Sequence, residues 1–144
     1  MPGPYAIDAS VFINAFNPLE IGHNASQAVL TRLQSQSIPL ISPTLLLPET
    51  AAAISRGQDN TELARRFALT LSRLPHLVLI PLDIQLAQQA LDVAARYRLR
   101  GSDAVYAAAA LRFACPLVTL DQEQHDRVAA VLKTYYPFEV LPEL

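Results

Sequence analysis

Asp8, Glu49, Asp103 and Asp121 are the side chains whose types and settings could do chemistry in this sequence. Asp8 follows Tyr5-Ala6-Ile7, Glu49 precedes Thr50-Ala51-Ala52-Ala53-Ile54, and Asp103 opens the alanine-rich run Ala104 to Ala114. An unpaired carboxylate is costly to desolvate in such stretches. Two carboxylates about 4 Å apart also repel by about 4 kcal/mol at an effective dielectric near 20. No lysine or histidine lies in these segments to offset that repulsion. A hard divalent cation does so with oxygen ligands, and Mg²⁺ suits one or two carboxylates plus waters and a phosphate. Taken singly, each acid has a structural explanation, because Asp and Glu near helix N-termini cap free N–H groups and offset the macrodipole. The combination points to metal chemistry.

For these acids to meet, the chain must bring four distant segments together. Short apolar runs at Tyr5–Ile7, Ile38–Ile41, Leu77–Ile80, Pro116–Leu120 and Phe138–Leu141 are too short for helices and read as strands. Helix-length segments lie between them. In one of these, Leu86, Ala90, Val93, Ala94 and Tyr97 form an apolar stripe. Strands alternating with helices predict an α/β fold: a three-layer α/β/α sandwich around a parallel sheet of four to five strands. Pro39 predicts an edge position for its strand, or the first place in it. Ser42–Leu77 holds two helices with no strand between, so one crossover carries a helical hairpin. Ser42-Pro43 reads as an N-cap with proline at the first helical position, Pro48 as a bend, and Ser102 as the N-cap of the alanine-rich helix. Ligand sites of open α/β sheets lie beyond the carboxyl ends of the strands. Asp8 and Asp121 are put at that edge by chain direction alone.

Length and composition set the outer bounds. The 144 residues predict one domain, 1–144, without repeats or linkers. A chain of this size buries about 68–70% of its unfolded surface. It is 51% apolar and 17% charged, which excludes disorder. The net charge of −2 lacks the basic excess of a sequence-independent DNA coater. All but one of its 11 cations are arginine, suited to bidentate phosphate contacts. Cys115, the single cysteine, excludes an intrachain disulfide and reads as a buried small hydrophobe. No signal peptide or membrane span is evident, so the expected location is cytoplasmic.

At the four acids the sequence resembles the PIN-domain family, and within it the VapC-like toxins of type II toxin–antitoxin systems. The resemblance is carried by Tyr5-Ala6-Ile7-Asp8-Ala9-Ser10-Val11-Phe12-Ile13, by Leu47-Pro48-Glu49-Thr50-Ala51-Ala52-Ala53-Ile54, by Leu99-Arg100-Gly101-Ser102-Asp103-Ala104-Val105-Tyr106 and by Leu117-Val118-Thr119-Leu120-Asp121. It runs over nearly the whole chain. The resemblance implies a parallel sheet with flanking helices, a pocket binding Mg²⁺ or Mn²⁺, and endonucleolytic cleavage of RNA. Asp8, Glu49, Asp103 and Asp121 then become the catalytic, metal-binding tetrad. Ser10 and Thr119 match hydroxyl positions that orient carboxylates or waters. Family members often follow the last acid with a second aspartate and an aromatic, whereas Asp121 is followed here by Gln122-Glu123-Gln124-His125-Asp126. That leaves Glu123 and Asp126 as rivals to Asp121, which is favoured because it directly follows the strand.

The expected mechanism is hydrolysis by metal-activated water, leaving a 5′-phosphate. Arg56 and Arg100 are the arginines placed to hold RNA. His125, four residues after Asp121, could share a helix face with it, and Tyr135-Tyr136 could stack on bases or pack in the core. The resemblance further implies a homodimer and a cognate antitoxin. Leu63, Phe67 and Leu71, on a helix over Thr61–Leu74, could form the groove for the antitoxin's tail. The alternative is a catalytically silent PIN-fold module for RNA or protein binding. A dehalogenase-type phosphotransferase is disfavoured because Ser10 stands where that chemistry needs a second carboxylate. A receiver domain is disfavoured because Lys133 is the only lysine.

Overall fold

A computed structural model of the chain describes residues 3–144. Five strands form one parallel sheet: β1 (Tyr5–Ile7), β2 (Leu40–Pro43), β3 (Leu77–Ile80), β4 (Leu117–Val118) and β5 (Thr134–Tyr135). Their order is β3-β2-β1-β4-β5. The chain therefore builds outward from β1 to β3, then crosses back to add β4 and β5 on β1's other side. β1 and β4 flank the point where the direction of building reverses, which is where open α/β sheets leave a crevice at their carboxyl ends. Asp8 leaves β1 and Asp121 lies three residues beyond β4, so both acids arrive at that crevice.

Helices α1 (Ala9–Phe16) and α2 (His23–Ser35) join β1 to β2. Helices α3 (Leu46–Gln58) and α4 (Thr61–Ser72) join β2 to β3, and α5 (Ile84–Tyr97) and α6 (Gly101–Arg112) join β3 to β4. The short helices α7 (Gln122–Arg127) and α8 (Pro137–Val140) flank β5, and a 3₁₀ turn, Leu141–Glu143, follows α8. Every residue of β1, β2 and β4 is buried, as expected of parallel strands covered on both faces. Helix α6 packs directly on β1, β2 and β4. Its buried alanines, 104 and 107 to 110, have no bulk to hold it off the sheet, so Asp103 in its first turn is brought down to the crevice.

The α/β class, the parallel sheet and the α3–α4 hairpin agree with the sequence reading. Several details differ. Two helices stand in each of the first three crossovers, where one such hairpin was expected. The Phe138–Leu141 run is not a strand: β5 lies earlier and Phe138 is in α8. The missed signal was Pro137, well suited to the first helical position, with Glu139 reaching back to accept from the Tyr136 N–H at 2.7 Å. Pro39 lies just before β2, which is an interior strand. Pro43 ends β2 rather than starting a helix, and Ser42 is no cap; its hydroxyl donates to the Ile7 carbonyl at 2.6 Å across the sheet. Pro48 sits in the first turn of α3, where a backbone N–H has no intrahelical acceptor, so no break results. Arg100, not Ser102, is the N-cap of α6.

Candidate functional site

Asp8 is the N-cap of α1, and its Oδ2 accepts from the Ser10 N–H at 3.0 Å. Asp121 is the N-cap of α7, and its Oδ1 accepts from the Gln124 N–H at 2.8 Å. The capping role expected of any one acid is therefore real for both. It uses only one oxygen of each carboxylate. Glu49 stands in the first turn of α3 and Asp103 in the first turn of α6. Four helix starts, two of them directly after β1 and β4, thus carry the four acids.

Their electrostatics show that they feel one another. Asp8 is only 5% exposed. Burial pushes its carboxyl up to about 6, the Ser10 hydrogen bonds pull it back, and the charges of Asp103 and Glu49 add to the rise. The Asp103 carboxyl is also raised, first by burial and then by Asp121, against the opposing charge of Arg100. Glu49 Oε1 is buried without a hydrogen-bond partner. The Tyr106 hydroxyl lies near it, and burial with the Glu49 charge raises the phenol's pKa, but the hydroxyl also reaches no hydrogen-bond partner.

Arg100 bridges two of the acids. Its Nε donates to Asp103 Oδ2 at 3.2 Å and its Nη2 to Asp121 Oδ2 at 2.6 Å. Arg56 is exposed in the last turn of α3 and joins neither acid. Glu123 pairs with Arg127, and Asp126 with His125. Asp121 alone of the three rivals shares Arg100 with Asp103. His125 does not turn to Asp121. It lies between Asp126 and Glu139 and stacks on Tyr136 with ring centroids 3.9 Å apart. Tyr135 packs against the core.

Ser10 and Thr119 both act on the segment that presents Asp121. The Ser10 hydroxyl accepts from the Leu120 N–H at 3.0 Å, and the Thr119 hydroxyl from the Asp121 N–H at 3.0 Å. Gln124 is the residue that sequence reasoning missed. Fully buried, it donates from its side-chain amide to the Asp103 carbonyl at 2.9 Å while its backbone N–H holds Asp121. Gln124 therefore ties α6 to α7 at the point where their acids meet. Replacing it with leucine should lower stability by about 1–3 kcal/mol, because the buried Asp103 carbonyl loses a donor. Urea unfolding of Gln124→Leu against wild type checks this, and an unchanged midpoint would show the bond to be dispensable.

The donor set fits a hard divalent cation. It is all oxygen, it includes an orphaned buried Glu49 atom, and its Asp8 carboxyl is raised by burial and by the Asp103 and Glu49 charges, a cost that a bound cation would offset. Among the described residues no three His, Cys, Asp or Glu side chains form a ready-made metal cage. Arg100 holds one oxygen each of Asp103 and Asp121.

A family model, the PIN domain, matches residues 5–131. The chain belongs to the PIN-domain family. Solved PIN-fold structures agree in architecture. VapC20 of Mycobacterium tuberculosis, described as a sarcin–ricin loop cleaving toxin, aligns with a TM-score of 0.71 at 18% identity, over 89% of this chain and 95% of that one. PAE2754 of Pyrobaculum aerophilum aligns with a TM-score of 0.71 at 21% identity, over 99% and 97%. VapBC2 of Rickettsia felis, solved bound to a promoter DNA fragment, aligns with a TM-score of 0.69 at 15% identity, over 92% and 98%. No curated protein matches the sequence. The structural neighbours of this PIN domain thus include VapC toxins, and at these identities the likeness is one of fold.

Two further features bear on partners. Between α1, α2 and α4 runs an apolar groove of about 570 Å³, lined by Phe12, Phe16, Leu30, Phe67, Leu71 and Leu74 among others. Phe16 and Phe67 meet edge to face at 4.8 Å. Leu63, expected there, is not among the lining residues, and Leu71 is largely buried in the groove's floor. Cys115 is buried, its thiol pushed up to about 11 by burial, which leaves it unreactive at neutral pH. No helix among the described residues is long and apolar enough to cross a membrane.

Proposed function

We propose that the chain is a Mg²⁺- or Mn²⁺-dependent endoribonuclease, the toxin of a toxin–antitoxin pair, working in the cytoplasm. What supports this reading is that Asp8 and Asp103 are each raised by the charges of neighbouring acids among Asp8, Glu49, Asp103 and Asp121, with Asp8 buried and Glu49 Oε1 unpartnered. A divalent cation held there would supply Lewis-acid stabilisation of charge on the scissile phosphate and lower the pKa of a bound water. The four carboxylates hold that charge in place. Ser10 and Thr119 fix the turn that aims Asp121. Arg56 and Arg100 contact backbone phosphates and offset the repulsion between RNA and the acids. In-line attack forms a bond from the water oxygen to phosphorus and breaks the P–O3′ bond. The products carry 5′-phosphate and 3′-hydroxyl ends.

Complexes among the structural neighbours, such as the toxin–antitoxin complex from Klebsiella pneumoniae, support a protein partner. The groove of Phe12, Phe16, Phe67 and Leu71 suits an amphipathic antitoxin segment. The exposed Ile84 and Leu91 of α5 offer apolar surface for a second copy of the chain. The test of activity is incubation of a structured RNA with the purified protein and Mn²⁺, followed by end analysis. Cleavage that stops in chelator and leaves 5′-phosphates supports the nuclease. RNA binding without cleavage would favour the silent module.

A further inference from the structure

Arg100 has a geometry that a surface arginine waiting for phosphate does not need. Its guanidinium reaches two carboxylates at once, through Nε to Asp103 and through Nη2 to Asp121, residues 3 and 21 positions away. One oxygen of each of those two acids is committed to this cation. The side chain is 68% exposed, so its ion pairs are screened and readily exchanged. Its backbone is fixed: the Arg100 carbonyl accepts from the Ala104 N–H at 2.9 Å as α6 begins, and Leu99 before it is buried. The guanidinium can therefore leave both acids by side-chain rotation alone, without disturbing the helix that carries Asp103.

We propose that Arg100 is an exchangeable counter-ion of the acidic cluster, holding Asp103 and Asp121 until a divalent cation takes their oxygens and frees the guanidinium for an RNA phosphate. The inference rests on the nuclease reading of the site and adds how that site is kept before it is loaded. Two cations compete for the same acceptors. The denser charge of a divalent ion favours hard oxygen ligands, whereas the guanidinium loses only screened pairs and regains water. The planar fork that now spans two carboxylates matches a phosphate equally well once released. Arg100 thus contributes at two stages, first by relieving repulsion among acids and then by binding substrate.

The experiment uses the full ¹⁵N-labelled chain, with the Arg100 Nε–H resonance assigned from its loss in Arg100→Lys. Titration with Mg²⁺ should shift that resonance and speed its exchange with water as the site fills. Calorimetry with Mn²⁺ should show Arg100→Gln binding about threefold to tenfold more tightly than wild type, as expected for removing two ion pairs that compete with the metal for the same oxygens. Arg96→Gln, which breaks a similar surface pair with Asp92, should bind as wild type does. An Nε–H signal unchanged at saturating Mg²⁺, or no gain in affinity in Arg100→Gln, would overturn the exchange while leaving the metal site standing. Failure of both wild type and Arg100→Gln to bind Mn²⁺ would remove the nuclease reading as well. Binding by the variant alone would favour the exchange in its strongest form.

Discussion

Replacing Asp8 with asparagine is expected to lower Mn²⁺-dependent RNA cleavage by about a thousandfold or more, the scale seen when a group made essential by the transition state is lost. Asparagine keeps the shape and an acceptor oxygen for the Ser10 N–H, so the N-cap of α1 survives. It removes the charge. Asp8 is the most deeply buried of the four acids, and its carboxylate is the one least open to replacement by a water. A steady-state cleavage assay beside a thermal melt separates the two effects. Loss of activity with an unchanged or higher melting temperature supports a catalytic charge. Activity within tenfold of wild type would mean that Asp8 is a cap and no more.

The same burial gives a second large effect, on stability. The metal-free protein should be less stable at pH 7 than at pH 4, relative to Asp8→Asn, by about 2 kcal/mol, since each pKa unit is worth about 1.4 kcal/mol and part of the cost is already present at pH 4. The Asp8 carboxyl has an ordinary value of 3.8 and titrates at about 6 in the fold. Below pH 3.8 it is protonated in both states and contributes nothing. Between 3.8 and about 6 the unfolded chain releases the proton while the folded chain keeps it, so stability falls as pH rises. Above about 6 the full cost of a buried charge is present. Asp103 is raised as well and pulls in the same direction. Urea unfolding of wild type and Asp8→Asn across pH 4–8 reads the difference directly. Curves that stay parallel over that window would show that Asp8 bears no penalty. Added Mn²⁺ should restore wild type at pH 7 and leave Asp8→Asn nearly unmoved.

Much of this site was legible in the residues. Asp8 and Asp121 could be placed because a carboxylate after a buried parallel strand must emerge at the sheet's carboxyl edge, whichever way the helices turn. Asp103 and Glu49 needed more. Nothing in the sequence states which face α6 presents, and its approach depends on the alanines packing against β1, β2 and β4. Gln124 was hidden in the polar run Gln122-Glu123-Gln124-His125-Asp126, where no local pattern marks one side chain for burial. Its burial follows from α7 folding onto α6, a long-range contact with no local signature. The bridge from Arg100 to Asp121 was out of reach for the same reason, although its partner three residues on was not. At the C-terminus, apolar content suggested a strand, and Pro137 with Glu139 made a helix instead. Capping chemistry decided the element there; hydrophobicity did not.

The most direct measurement is anomalous diffraction from crystals soaked in Mn²⁺. A single strong peak within about 2.0–2.3 Å of carboxylate oxygens, as oxygen-ligated divalent ions require, is expected at the crevice where Asp8, Glu49, Asp103 and Asp121 meet. A crystal that shows manganese only elsewhere, or none at saturating Mn²⁺ with all four carboxylates ordered, would contradict it.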